Sequence, residues 1–283
     1  MSFNFFSLDY IYYPISGIMW VWHQVFGAVL GPDAALTWVL SVVFLIFTIR
    51  ALLFKPFMKQ LDAQVKMQAI QPQMRALQEK YKDDRQKLSE EMMKLNREAG
   101  VNPLASCLPL LIQAPVFVGL FHVLRMFQPV NDGPGGPTAW FYRDSNYFFD
   151  HAEVVSMGNA KLPGGAPLVG FMTMPADQLA FMDGVRAAII VWGIPLTIMA
   201  GIATHLASRR SVARQAQLNP TAATANPQAV LMNRLALYLF PLFVVIGGPF
   251  FPLAILFYWL ANNCWTFGQL WVAHRIQDGR AGG

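Results

Sequence analysis

Charge is scarce in this 283-residue chain: Asp, Glu, Lys and Arg make up 13% of it, about half the share usual in a soluble domain. Between Leu235 and His274 there is none at all, and a water-facing surface cannot be built from such a stretch. Cysteine is nearly absent as well. Cys107 and Cys264 sit singly inside apolar runs, which excludes a disulfide framework and reads as small buried residues. The histidines His23, His122, His151, His205 and His274 are scattered, without the spacing of a zinc site. There is no P-loop, GxGxxG or GxSxG pattern, no pair of acids within an apolar run and no nucleophile beside a base. These absences argue against an enzyme, a metal centre and an organic cofactor. The net charge of +5 would admit nucleic acid, but the position of the charges matters more than their sum, and no sequence-specific nucleic-acid surface is expected.

What the chain has in excess is apolar bulk, 55% of residues with 22 Phe and 8 Trp. The apolar residues fall into blocks that match the roughly 20 residues needed to cross a bilayer core about 30 Å thick. The spans predicted are 36–54, 104–127, 187–206, 235–250 and 251–274, the last with its helix near Leu253–Val272. Gly247-Gly248-Pro249 and Pro252 separate the final two. Pro109 and Pro115 are compatible with a span, because neighbouring helices can satisfy the carbonyls they free.

The connecting segments differ in sign. Lys55–Gly100 has ten basic and seven acidic residues, Phe127–Arg186 three and six, and Ala207–Arg234 four and none. By the positive-inside rule, residues 55–103, 207–234 and the tail 275–283 are cytoplasmic, while 1–35 and 128–186 lie outside. Five spans give an N-out, C-in chain without contradiction. Pro14–Leu30 is apolar and rich in Trp, interrupted by His23 and Gln24. It reads as a helix along the outer interface in preference to a sixth span, and it lacks the basic start of a signal peptide.

Lys55–Ala99 carries apolar residues near helical spacing: Leu61, Val65, Met74, Leu77 and Tyr81, then Leu88, Met92 and Leu95. This predicts a two-helix hairpin, with Asp83 or Asp84 as the N-cap of its second helix. Most of its charges read as a solvated face. The stretch Ser208–Pro227 reads as flexible, its arginines fixing topology or touching anionic lipid. In the outer loop, the aromatic patch TAWFYRDSNYFF is expected to rest on the membrane surface.

Polar residues inside spans carry the functional reading. Arg50 lies five residues before Lys55, roughly 7 Å inside the span at 1.5 Å per residue. Snorkelling to the interface is one explanation. Gln113 lies mid-span between Pro109 and Pro115. Asn262, Asn263, Thr266 and Gln269 recur at three- and four-residue spacing, and Thr197 and Thr204 are seven apart. Helix-to-helix hydrogen bonding accounts for the threonines. It accounts less well for Arg50, since no predicted span contains an acid; such a cation implies water or a visiting anion.

Four blocks resemble the YidC-type membrane protein insertases. VNPLASCLPLLIQAPVFVGLFHVL looks like that family's second core span, and IQPQMRALQEKYKDDRQKLSEEMMKLNREAG like its cytoplasmic helical pair, including Pro72. FTIRALLFKPF is similar to its arginine-bearing first core span. In FFPLAILFYWLANNCWTFGQLW, Tyr258, Asn263, Thr266 and Gln269 fall at positions matching its last span. The resemblance covers about Pro14 to Arg275.

What the resemblance implies is an all-α membrane protein of the bacterial plasma membrane. It would have a five-helix transmembrane core around a hydrophilic groove, a cytoplasmic two-helix hairpin and an external interfacial amphipathic helix. Arg50 would be the groove arginine, with Gln113, Asn263, Thr266 and Gln269 lining the same groove. Substrate helices would slide along Phe117, Leu120, Leu237, Phe243 and Tyr258. Pro72, Arg75, Lys80 and Lys87 would be contacts of the hairpin. The partners implied are nascent membrane proteins, the ribosome, the lipid bilayer and, as a candidate, the Sec translocon. Two departures stand out: a longer outer loop than in minimal members, and a short tail after Arg275, which implies less reliance on a ribosome-binding extension or a truncated chain. The rival readings are a small-anion transporter or channel, for which no internal repeat is found, and a structural assembly factor.

Overall fold

The apolar runs form helices, and local chemistry shows what ends most of them. The computed structural model describes residues 8–100, 108–131, 140–218 and 227–281. Residues 104–107 of the second predicted span, with Cys107, the GPGGP run at 133–137 and residues 219–226 of the basic stretch lie outside the described residues. Helix α1 (Asp9–Leu30) stops at Gly31, whose φ of 91° is strained for any residue with a Cβ. Helix α2 (Ala35–Leu52) is followed after one residue by α3 (Phe54–Lys80). Helix α4 (Arg85–Glu98) is capped by Asp84, whose carboxylate accepts the Lys87 N–H at 3.0 Å, so the second of the two candidate aspartates is the one used. Helix α5 spans Leu108–Met126.

The segment between α5 and α8 is folded. It contains α6 (His151–Asn159), the antiparallel pair β1 (Lys161–Leu162) and β2 (Ala166–Pro167), and α7 (Ala176–Phe181). Asp150 and Glu153 form a reciprocal capping box at the start of α6. Then come α8 (Arg186–Leu218), α9 (Pro227–Arg234), a π turn at Leu235–Leu239, α10 (Phe240–Gly247), a 3-10 turn at Gly248–Phe250 and α11 (Leu253–Ala281). The π turn has an identifiable cause. Pro241 has no N–H to offer the Leu237 carbonyl four residues back, and that carbonyl is instead 2.8 Å from His205 Nδ1, which must donate to it.

Three helical stretches are long and apolar enough to cross a membrane: Ala35–Leu52, Arg186–Arg214 and Val230–Phe250. The protein is thus mainly helical and of membrane type. Its exposed surface supports this directly. On α8 the side chains of Ile190, Val191, Ile194, Ile198, Met199 and Ile202 are open, and on α10 Leu242, Phe243, Val245 and Ile246. Contiguous apolar surface of that extent is unusual on a soluble monomer.

The chain divides into two compact units: residues 1–51, 114–204 and 241–283, and residues 52–113 with 205–240. In the first unit, α2 buries Thr37, Trp38, Ser41, Val42, Leu45 and Ile46 on one helical face. Trp38, fully buried, meets Phe127 at 5.6 Å, Phe149 at 5.5 Å and the His23 ring at 3.7 Å. Close helix contacts rely on glycine: a Cβ on Gly119 would overlap Ile15, and one on Gly248 would overlap Thr197. In the second unit, Leu61, Val65, Met74, Leu77 and Tyr81 of α3 and its C-cap, and Leu88, Met92 and Leu95 of α4, are half-buried, while Ile70 and Asn96 are buried.

Three sequence expectations need correction. Ser208–Pro227 is not flexible throughout, because α8 continues unbroken to Leu218. Arg, Ala and Gln dominate that stretch and all favour helix, with no proline before Pro220. Cys264, read from the sequence as a small buried residue, is exposed. The aromatic patch does not simply rest on a surface: Tyr142, Asn146 and Phe149 are buried within the protein, although Phe148 is exposed. Asn146 Nδ2 donates to the Val123 carbonyl at 2.9 Å, and Arg143 Nη1 to the Met126 and Gln128 carbonyls at 2.9 and 3.0 Å. The loop thereby satisfies the carbonyls that the C-terminus of α5 leaves open.

Helix α1 is clasped to the same unit through Glu153. Its Oε1 accepts from Trp20 Nε1 at 3.1 Å and Gln24 Nε2 at 2.8 Å and lies 3.9 Å from His23 Nδ1. His23 Nε2 faces the Pro32 carbonyl at 3.0 Å, so Nε2 carries the proton and Nδ1 makes no hydrogen bond among the described residues. Burial holds the His23 imidazole below its ordinary pKa, against the opposing Pro32 hydrogen bond and the Glu153 and Asp33 charges. A folded-state pKa lower than the unfolded one means stability present above the unfolded value and lost as pH falls through the folded one. We therefore expect the melting temperature in detergent to fall by a few degrees (about 2–4 °C) between pH 7.5 and pH 5 on account of this group. A His23→Gln variant should lack that component; an equal pH-dependent drop in both proteins would disprove it.

Candidate functional site

Arg50 is the third residue from the end of α2, where a cation complements the helix dipole. Its half-buried guanidinium donates through Nε at 3.1 Å and Nη2 at 2.6 Å to one oxygen, the Asn262 Oδ1 on α11. Among the described residues no carboxylate forms an ion pair with it. The partner it has is a neutral amide. Asn262 shares its helix face with Thr266, whose hydroxyl donates back to the Asn262 carbonyl at 2.8 Å.

Asn263 and Gln269 are engaged with other partners. Asn263 is buried; its Nδ2 donates to the Trp259 carbonyl at 2.9 Å. The Thr204 hydroxyl, 2.8 Å from the Ala200 carbonyl, is 3.3 Å from Asn263 Oδ1 and has a single proton to share. Asn263 therefore joins α8 to α11 and does not meet Arg50. Gln269 is buried and accepts from Trp265 Nε1 at 2.9 Å, one helical turn earlier. Trp265 in turn packs on Phe47 of α2, ring centres 5.3 Å apart, one turn before Arg50. Gln113 belongs to the second unit and is half-buried there.

Of the residues proposed to guide a substrate helix, Phe243 is open at 61% and Phe117 is half-buried against Tyr258 and Trp259, centroids 6.1 and 6.2 Å away. Leu120 and Tyr258, at 0% and 1% exposure, are buried in the packed interior of the structure. Leu237, in the second unit, is half-buried within the π turn. In the hairpin, Pro72 is exposed and Arg75 half-buried. Lys80 and Lys87, both exposed, bracket the Tyr81 ring with Nζ 5.1 and 5.9 Å from its centroid.

Sequence comparison decides the family. Residues 29–280 match the 60 kDa inner membrane protein family. The chain belongs to that family. Among its relatives, the membrane protein insertase YidC of Mycobacterium tuberculosis is 52% identical over 272 residues, covering 95% of this chain and 73% of the relative. That of Mycolicibacterium paratuberculosis is 53% identical over 272 residues, 95% of this chain and 76% of the relative. In Corynebacterium glutamicum the insertase of the same name is 36% identical over 272 residues, covering 93% and 63%. The family match includes Arg50 and Asn262 and leaves the anion-transporter alternative without support.

Proposed function

We propose that this protein is a membrane protein insertase that moves short polar segments of new membrane proteins through a hydrophilic groove and releases their helices sideways into lipid. The observation that carries the groove reading is Arg50, a cation inside a predicted span whose partner is the neutral Asn262. A cation in that position favours an acidic or polar segment, and the membrane potential adds about 2.3 kcal/mol per negative charge per 100 mV outward. Five spans (α2, α5, α8, the Val230–Phe250 stretch and α11) form the core, with the N-terminus outside and the C-terminus in the cytoplasm. Helix α1 lies along the outer interface. The hairpin α3–α4 is cytoplasmic and receives the nascent chain, docking on the ribosome or on a Sec translocon. No nucleotide is consumed.

In proteoliposomes containing the purified chain, a newly synthesised single-span protein should become membrane-integrated and protease-protected at its outer segment, about tenfold above empty vesicles, the gain expected from lowering the barrier by ~1.4 kcal/mol. Small-anion flux without such integration would overturn the reading.

A further inference from the structure

Asn262 is the one side chain among the described residues that accepts hydrogen bonds from Arg50. A guanidinium has five N–H donors. Two of them converge on the Asn262 oxygen, and the other three make no bond among the described residues. Carboxylates usually fill such a place, since arginine and carboxylate match in geometry and charge. Here no Asp or Glu occurs in 36–54, 104–127, 187–206 or 235–274.

The distinction matters physically. An amide oxygen fixes the plane of the guanidinium but leaves its full positive charge uncancelled. A carboxylate in the same place would hold it at least as well and reduce the net charge of the pair to zero. At the low effective dielectric of a partly buried site that difference is large.

We propose that Asn262 is a positioning residue: it orients Arg50 for efficient contact without neutralising it, so that the undiminished charge of Arg50 sets the preference of the site for acidic over neutral translocated segments. This rests on the reading in which Arg50 meets the substrate. Three donors that make no bond among the described residues, on a side chain held in place by the other two, constitute a selective anion contact. Were the amide replaced by a carboxylate, the same segment would meet a neutral pair and a repelling negative charge.

The test uses two single-span substrates that differ only in two Asp or two Asn residues in the segment to be translocated, and compares Arg50→Ala, Asn262→Asp and Asn262→Ala with the unaltered protein in full-length, membrane-embedded form. The readout is the ratio of acidic to neutral substrate inserted, which a merely structural defect would not move. Asn262→Asp should lower the ratio by about fivefold or more, and Asn262→Ala, which keeps the charge, should lower total insertion while shifting the ratio by no more than about twofold. Should Asn262→Asp fail to accumulate, Asn262→Ala still decides: a ratio that collapses as far as with Arg50→Ala overturns the proposal. An unchanged ratio with Asn262→Asp, or equal shifts with Asp and Ala, also overturns it. If Arg50→Ala itself leaves the acidic substrate unaffected, the reading of Arg50 fails and this proposal with it; if Arg50→Ala collapses the ratio and Asn262→Asp does not, only the role of Asn262 fails.

Discussion

Replacing Arg50 by Ala should reduce insertion of a substrate whose translocated segment is acidic by about 10- to 100-fold, the equivalent of one charge-assisted hydrogen bond worth roughly 1.5–3 kcal/mol. Arg50→Lys should retain most of the activity. Lysine keeps the charge and three donors but loses the planar fork, so it can still bond the Asn262 oxygen once and attract the segment with less orientation. Two controls separate function from folding. Arg50→Ala leaves the Asn262 oxygen without its two donors, and a polar atom left unsatisfied in a partly buried site costs about 1–3 kcal/mol; a melt in detergent measures that loss directly. A substrate with a neutral segment, inserted by the same variant, reports whether the defect follows charge. Full activity of Arg50→Ala on the acidic substrate would remove the mechanism. Equal loss with Ala and Lys would show that guanidinium shape, rather than charge, is what the site requires.

The site was partly legible in the sequence, and the reasons differ by residue. Arg50 could be found because one cation in an apolar run contradicts hydropathy, and hydropathy is a local property. The choice between Asn262 and Asn263 could not be made that way. Both lie on the polar side of α11, and adjacent residues differ by about 100° around a helix, so the selection depends on how α2 and α11 meet. A stricter reading of spacing held the signal: Asn262, Thr266 and Gln269 follow i, i+4, i+7, whereas Asn263 is displaced from that line. The burial of Leu120 and Tyr258 was not legible for a related reason. In a membrane helix both faces are apolar, so periodicity does not say which face meets protein and which meets lipid.

The loop between α5 and α8 was least legible. Its stabilising contacts join residues far apart in sequence, such as Ser16 with the Asn146 carbonyl and Trp20 with Glu153. An aromatic patch without those partners looks like a surface element. The helical continuation of α8 to Leu218 was available from propensity alone, since helix formers fill it, but the run of polar residues suggested flexibility instead.

Exposure also fixes what a passing substrate helix can touch, and this gives the second large effect. A photo-crosslinking residue at Phe243 should capture a stalled nascent membrane helix at a yield about tenfold above the same probe at Leu120 or Tyr258, because adduct formation requires approach to within roughly 4–4.5 Å. Phe243 projects from α10 with 61% of its surface open, whereas Leu120 and Tyr258 are sealed. Ile202 on α8 is the control for simple lipid exposure: it is 55% open yet lies on the third predicted span, which contributes none of the residues proposed to guide a substrate helix. A substrate guided by those residues should label Phe243 well above Ile202. Equal labelling would mean that any lipid-facing position meets the nascent helix by diffusion, so that the protein offers no preferred track. Strong labelling at Leu120 would mean something different again. The packed interior around Ile15, Gly119 and Trp38 would then have to open during insertion, and α1, which packs its Ile15 against Gly119, would be the element that has to move.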